Sequence, residues 1–273
     1  MAMSTSMAGT AAISTEPVHH RHEPAVMGGA VLAVIPAFNE AQRIAPVILG
    51  LRAQGLPVLV VDDGSRDHTG AVAQRHGAAV LAQANSGKGA AILAGCAWAC
   101  ARGYHKVLLL DGDGQHDPRE AARLIEAGHG ADLVIGKRLL RCERQPPHRR
   151  ALNRLSSLLI TGLAGRRIRD SQSGFRLCRS DLLLRLPLAG CRFDLESEVC
   201  ILAARAGLRV REVPITVIYN DKVSGVHPLW DTLRFLRACV VAWTRARRHL
   251  RAAQPRSHRE AQRAPRVASR ASA

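Results

Sequence analysis

Aromatic residues are scarce in this chain: they make up 3% of its 273 residues, against 47% for hydrophobic residues as a whole. Any core must therefore be built from Leu, Val, Ile and Ala, and the length allows one large domain or two small ones. No apolar run approaches the roughly 20 residues that cross a bilayer. The best stretch, Leu229–Trp243, is interrupted by Asp231, Arg234 and Arg237. No charged-then-apolar secretory pattern opens the sequence. Its cysteines (96, 100, 142, 178, 191, 200 and 239) form no C-x-x-C pair and no Cys/His array at zinc-ligand spacing. Reduced thiols and a cytoplasmic location, with peripheral contact at the inner membrane face as an option, are the expectation. The cluster His19-His20-Arg21-His22 reads as part of a leader rather than as a metal site.

Two nucleotide signatures are also missing. No G-x-G-x-x-G follows the first apolar run, which argues against a dinucleotide enzyme. Asn85-Ser-Gly-Lys88-Gly89 lacks the first glycine of a P-loop and has Gly where Ser or Thr should follow the lysine. Lys88 is left with two readings, a phosphate contact or site tether, and a solvated lysine opening a helix.

Positive charge is present in excess: the formal net charge is +17, carried by arginine far more than lysine. From Arg245 to the end there are nine arginines against the single acid Glu260. Such a chain favours polyanions, whether nucleic acid, anionic lipid or phosphorylated substrate. A solvated basic extension and a membrane-surface contact both fit the tail. Without a nucleic-acid-binding motif, nucleic acid is not an expected partner.

Between tails at 1–29 and 245–273, short apolar runs alternate with helical spacing. Val31–Ile35, Val58–Val61, Ala78–Leu81 and Val107–Leu110 read as strands; Glu40–Arg52, Asp67–His76 and Gly89–Arg102 read as helices. Continuously apolar strands alternating with helices predict an α/β fold, a mostly parallel sheet with helices on both faces. Beyond residue 138 the pattern predicts a loop at Arg144–Arg150, helices at Ala151–Leu163, Glu196–Ala206 and Leu229–Trp243, and strands at Ser173–Cys178 and Leu208–Ile218.

Polar residues cluster at the ends of these runs. Pro36–Glu40, Asp62-Asp63-Gly64-Ser65 and Asp111-Gly112-Asp113-Gly114-Gln115-His116 each follow a strand directly, and in open α/β sheets the carboxyl ends of strands form the ligand crevice. Asp111 and Asp113 sit two apart in a glycine-rich turn, so both carboxylates reach one cation, and Gly112 lets the backbone approach a phosphate. Carboxylate, amide and phosphate oxygens suit Mg²⁺ or Mn²⁺, with Gln115 as a further oxygen and His116 as a nitrogen. Asp62 and Asp63 are acceptors suited to a base N–H or ribose hydroxyls. Asp67 and Thr69 read as caps of the following helix.

The segments IPAFNE (35–40), VVDDGSRDHT (60–69), NSGKGAA (85–91), LDGDGQHDP (110–118), DLVIGKR (132–138), DSQSGFRL (170–177), FDLESE (193–198) and EVPITVIY (212–219) together resemble the family 2 glycosyltransferases. These have the GT-A fold, a nucleotide-sugar-binding, Rossmann-like arrangement. The resemblance is closest to the branch of dolichyl- and polyprenyl-phosphate sugar synthases, and it spans residues 30–240. It implies a single GT-A domain at 30–244 that moves a hexose from a UDP- or GDP-sugar to a lipid phosphate, with inversion. It implies that Pro36, Ala37, Glu40, Val61 and Asp63 line the nucleoside pocket and that Asp111, Asp113 and Gln115 surround the metal. Arg138, Arg154 and Ser157 fall on the acceptor-phosphate positions, and Glu196 and Glu198 lie near sugar and acceptor. Helical spacing lets one of those two glutamates face solvent. Asp113, Arg138, Glu196 and Glu198 are thus the candidate catalytic residues. The chain departs from the branch at Ser224-Gly225-Val226-His227, where a lysine commonly follows the serine; Lys222 or His227 is the expected substitute on the diphosphate. A soluble or cell-envelope saccharide acceptor and a sugar nucleotidyltransferase are the alternatives.

Overall fold

A computed structural model describes residues 31–138, 147–188, 195–218 and 239–246, with backbone alone for 147–154. The elements run β1 (Val31–Ala37), α1 (Ile44–Arg52), β2 (Val58–Asp62), α2 (Thr69–Arg75), β3 (Ala79–Ala82), α3 (Lys88–Ala101), β4 (Lys106–Leu109), α4 (Ala121–Ala127), β5 (Leu133–Arg138), α5 (Pro147–Ala164), β6 (Arg176–Arg179), α6 (Leu182–Arg185), α7 (Leu195–Arg205) and β7 (Val210–Ile215). Residues 239–246 are helical, within and just beyond the expected Leu229–Trp243 helix. The tails to residue 30 and from 247, together with Lys222, Gly225 and His227, lie outside the described residues.

The strands form one sheet in the order β3-β2-β1-β4-β6-β5-β7. Strands β3, β2, β1 and β4 are parallel, as the apolar runs predict. Chain order reverses direction between β1 and β4, the switch point at whose carboxyl ends open α/β sheets bind ligands. Strand β6 runs antiparallel between β4 and β5, with Leu109 opposite Arg176 and Ile135 also opposite Arg176. Because β6 enters from the carboxyl side of its neighbours, the residues just before it, Ser173–Phe175, lie beside the end of β4.

Successive strand residues supply two cores, as a sheet covered on both faces requires. Leu32, Val34, Leu59, Val61, Val107 and Leu109 face α3, α7 and the 239–246 helix. Ala33, Ile35, Val58, Val60, Leu108 and Leu110 face α1 and α4. Phe175, fully buried, joins the second core.

Two expected boundaries are corrected. Helix α1 begins at Ile44 rather than Glu40, because the Glu40 and Ala41 N–H groups donate to Thr69 Oγ1 (2.8 Å) and Asp67 Oδ2 (3.1 Å). Helix α5 begins at Pro147, inside the expected Arg144–Arg150 loop; proline lacks the N–H that a first helical residue leaves unbonded. Residues 139–146 lie outside the described residues.

Candidate active site

The loops after β1 and β2 are tied to each other. Asn39, in the left-handed region at φ 56°, donates its N–H to Ser65 Oγ (3.0 Å) and accepts from the Arg66 N–H (2.8 Å). Thr69, expected as a helix cap, instead accepts from Glu40, while Asp67 accepts from both Ala41 and Thr69. Both residues therefore fix the strand-end loops. Asp62 accepts the Ser65 N–H (2.9 Å) within its own turn.

Asp63 is buried, and both oxygens of its carboxylate accept from the segment leading into α3. Oδ1 accepts from Gln83 Nε2 and the Ser86 N–H, and Oδ2 from the Gly87 N–H, each at 2.8 Å. Pro36 and Ala37 pair with Val61 and Asp62 across β1 and β2. The Val61 side chain lies in the core, so its main chain is what it offers at the strand end. Glu40 is buried and accepts from Arg43 Nη1 (3.2 Å).

Gly87 hands the chain directly to Lys88, the first residue of α3. The Lys88 ammonium lies 2.7 Å from Asp111 Oδ1 and 2.8 Å from Glu196 Oε1. The lysine does open a helix, but its ammonium is paired with two carboxylates rather than solvated. Burial works to lower its pKa, but the two carboxylates outweigh burial and hold the ammonium charged well above the ordinary lysine range. An unbroken set of contacts thus runs from β1 through the β2 loop, Asp63 and Lys88 to Asp111 and α7.

Asp111 is seated by what the neighbouring chain lacks. A Cβ on Gly174 would stand 2.6 Å from Asp111 Oδ2, and one on Gly112 would stand 3.2 Å from Ile35 Cγ2. Gly114 turns the loop at φ 74°. Asp113 Oδ1 accepts the Gln115 N–H at 3.1 Å. His116 is buried against Phe175, ring centroids 5.4 Å apart, with Nε2 4.0 Å from Asp111 Oδ2. Burial pulls its pKa below the ordinary value against the opposing charge of Asp111, so the imidazole is neutral near pH 7.

Glu196 and Glu198 are both buried, so the solvent-facing alternative that helical spacing left open applies to neither; every residue from Leu195 to Ala203 on α7 is buried. Phe193 and Asp194 lie outside the described residues. Arg138 is clamped by Asp170: its N–H, Nε and Nη2 donate to that carboxylate at 3.0, 2.8 and 2.8 Å. Burial raises the Asp170 pKa, but the bonds from Arg138 outweigh it and hold the carboxyl below its usual range. Ser157 is half-buried on α5, and the side chain of Arg154 lies outside the described ones.

Sequence reading missed Asp170 and Arg176. The buried Arg176 guanidinium donates to the carbonyls of Ser173 (2.7 Å), Ser171 (2.7 Å) and Glu196 (2.8 Å), joining the segment before β6 to the start of α7. The one signal for both was the DSQSGFR run, whose acid and arginine bracket the glycine facing Asp111.

For a metal, Asp111 and Asp113 offer hard carboxylate oxygens, with the Gln115 amide close by in sequence. Among the described residues no group of three or more His, Cys, Asp or Glu is arranged to hold an ion alone. That set suits a dication completed by substrate phosphate, as Mg²⁺ sites commonly are.

A strand-end acid pair thus lies at the switch point of the sheet. The chain belongs to glycosyl transferase family 2, whose pattern matches residues 32–186. It is 33% identical over 214 residues to the undecaprenyl-phosphate mannosyltransferase of Micrococcus luteus, covering 71% of this chain and 88% of that one. It is 34% identical over 212 residues to the polyprenol monophosphomannose synthase of Mycolicibacterium smegmatis, covering 71% and 79%. Among solved structures, Mycobacterium tuberculosis glucosyl-3-phosphoglycerate synthase with Mn²⁺ and UDP-glucose aligns with a TM-score of 0.63 at 21% identity, over 81% of this chain and 84% of that one. That likeness shows the fold.

Proposed function

We propose that this glycosyltransferase moves a hexose from a nucleoside-diphosphate sugar to a polyprenyl phosphate by one direct displacement that inverts the anomeric carbon. The observation that carries the donor half is the Lys88–Asp111–Glu196 cluster at the carboxyl end of β4. Support for the acceptor half comes from relatives named for polyprenyl-phosphate chemistry, 33% and 34% identical to this chain.

A divalent cation, Mg²⁺ or Mn²⁺, held by Asp111 and Asp113 beside Gln115, supplies charge screening for the departing diphosphate. The use of Mn²⁺ with UDP-glucose in the mycobacterial synthase supports this assignment. Lys88 keeps its proton and adds a fixed positive charge near the leaving group. The strand ends from Pro36 to Asp63 receive the nucleoside, with Lys222 assigned to the diphosphate. Arg138, its plane fixed by Asp170, is assigned with Arg154 and Ser157 to the acceptor phosphate. That phosphate is already ionised near neutral pH, so positioning and charge stabilisation carry the rate without a strong general base. Glu196 and Glu198 are assigned to the sugar side.

The test is transfer of radiolabelled hexose from UDP- and GDP-sugars in the presence of polyprenyl phosphate and Mn²⁺ or Mg²⁺. Label extracted into organic solvent, dependent on both lipid and metal, is the expected result. Label that stays aqueous with every polyprenyl phosphate would move the acceptor to the soluble class.

A further inference from the structure

The charge of Lys88 conflicts with its position. A helix N-terminus carries partial positive charge and favours acids, yet α3 opens with a lysine. Such a local conflict, retained inside a folded site, marks a position kept for something other than helix stability. The ammonium sits on Asp111 Oδ1 at 2.7 Å, one of the two carboxylates assigned to the metal. A dication bound there would stand next to a unit positive charge in a partly dehydrated site, where repulsion is weakly screened.

Glu196 supplies the second half of the argument. Its Oε1 meets Lys88 at 2.8 Å, while Oε2 is buried with no hydrogen-bond partner. A buried carboxylate oxygen left unsatisfied is costly. Here it forms a second berth for the same ammonium: Lys88 can release Asp111 and remain paired by moving fully onto Glu196.

We infer that Lys88 is a resident cation of the diphosphate site, which holds Asp111 until metal and diphosphate arrive together and so makes their binding interdependent. Metal alone must compete with the ammonium for the Asp111 carboxylate and tolerate its repulsion. Diphosphate brings the negative charge that accommodates both cations. By linkage, nucleoside diphosphate raises metal affinity and metal raises nucleotide affinity by the same factor. This inference rests on the donor-site reading above.

The experiment measures Mn²⁺ affinity by loss of the free-ion paramagnetic resonance signal, for the full chain with and without UDP or GDP. Wild type should bind Mn²⁺ weakly alone and more tightly with nucleoside diphosphate. Lys88→Met should bind Mn²⁺ alone roughly tenfold more tightly, within the usual span of coupled sites, and the enhancement by nucleotide should shrink. Lys88→Met leaves Glu196 buried without its cation, so the charge-neutral pair Lys88→Met with Glu196→Gln is made alongside and should show the same tighter binding. Mn²⁺ alone should also raise the melting temperature of both variants more than that of wild type. If both variants bind Mn²⁺ no better than wild type and keep its enhancement, the lysine inference is overturned while the donor site stands. Wild type that takes up no Mn²⁺ even with nucleoside diphosphate overturns the donor-site reading itself.

Discussion

At the scale of single residues, the site depends on close approaches as much as on charges. Gly174 leaves no room for a Cβ beside Asp111 Oδ2, 2.6 Å away. Gly174→Ala should displace that carboxylate and lower kcat/KM by about 100-fold, the scale of a misplacement near 1 Å. Melting temperature should change little, and steady-state kinetics beside a thermal melt checks both. Asp113→Ala should abolish transfer; wild-type turnover in that variant would defeat the metal assignment. The acids at 111 and 113 stood out in sequence because they follow an apolar run, and Glu196 only through the resemblance carried by FDLESE. Asp170 was not, because its meaning lies in Arg138, a partner 32 residues away that only the fold brings near.

At the scale of elements, the decisive one is β6. An apolar run carries no arrow, so the sequence could predict a strand at Ser173–Cys178 but not that it runs antiparallel between β4 and β5. Reversal is what delivers Gly174 and Arg176 to the end of β4. The pair that joins the end of β5 to the segment before β6, Arg138–Asp170, is buried on the acid side. Asp170→Asn should cost about 3 kcal/mol near pH 7, as removal of one partner of a buried pair does. The folded carboxyl lies below the ordinary carboxylate value of about 3.9. The stabilisation is thus complete above that value and disappears as pH falls through the folded one. Urea unfolding across a pH series should show a constant gap between variant and wild type from about pH 7 to 5, closing below about 4. A gap that widens on acidification would contradict this account. The late start of α1 was equally hidden, since the hydrogen bonds that Glu40 and Ala41 donate to Thr69 and Asp67 override local helical spacing.

At the scale of the whole molecule, the two cores and the parallel run of β1 to β4 followed from apolar runs, the strand order did not, and the ligand-binding edge was expected where acids interrupt those runs. Among the described residues no helix is long and apolar enough to cross a membrane. The arginines beyond Ala246 are proposed to contact an anionic membrane surface. Ala242 and Ala246 are buried and Arg245 Nη1 donates to the Pro187 carbonyl (3.4 Å), so truncation belongs after Ala246 rather than before Arg245. The shortened chain should keep nucleotide binding, yet co-sediment less with anionic vesicles, and the difference should shrink with added salt. Equal sedimentation of both forms would remove the arginine segment from that role.

The Asp63 clamp has one more implication. Its carboxylate is engaged by the main-chain amides of Ser86 and Gly87, so a base or ribose that hydrogen-bonds to Asp63 would alter the surroundings of those two amide protons. Their nitrogen–proton resonances and deuterium uptake are therefore a built-in gauge of nucleoside arrival. They would report it in the unmodified protein, with no labelled sugar and no turnover.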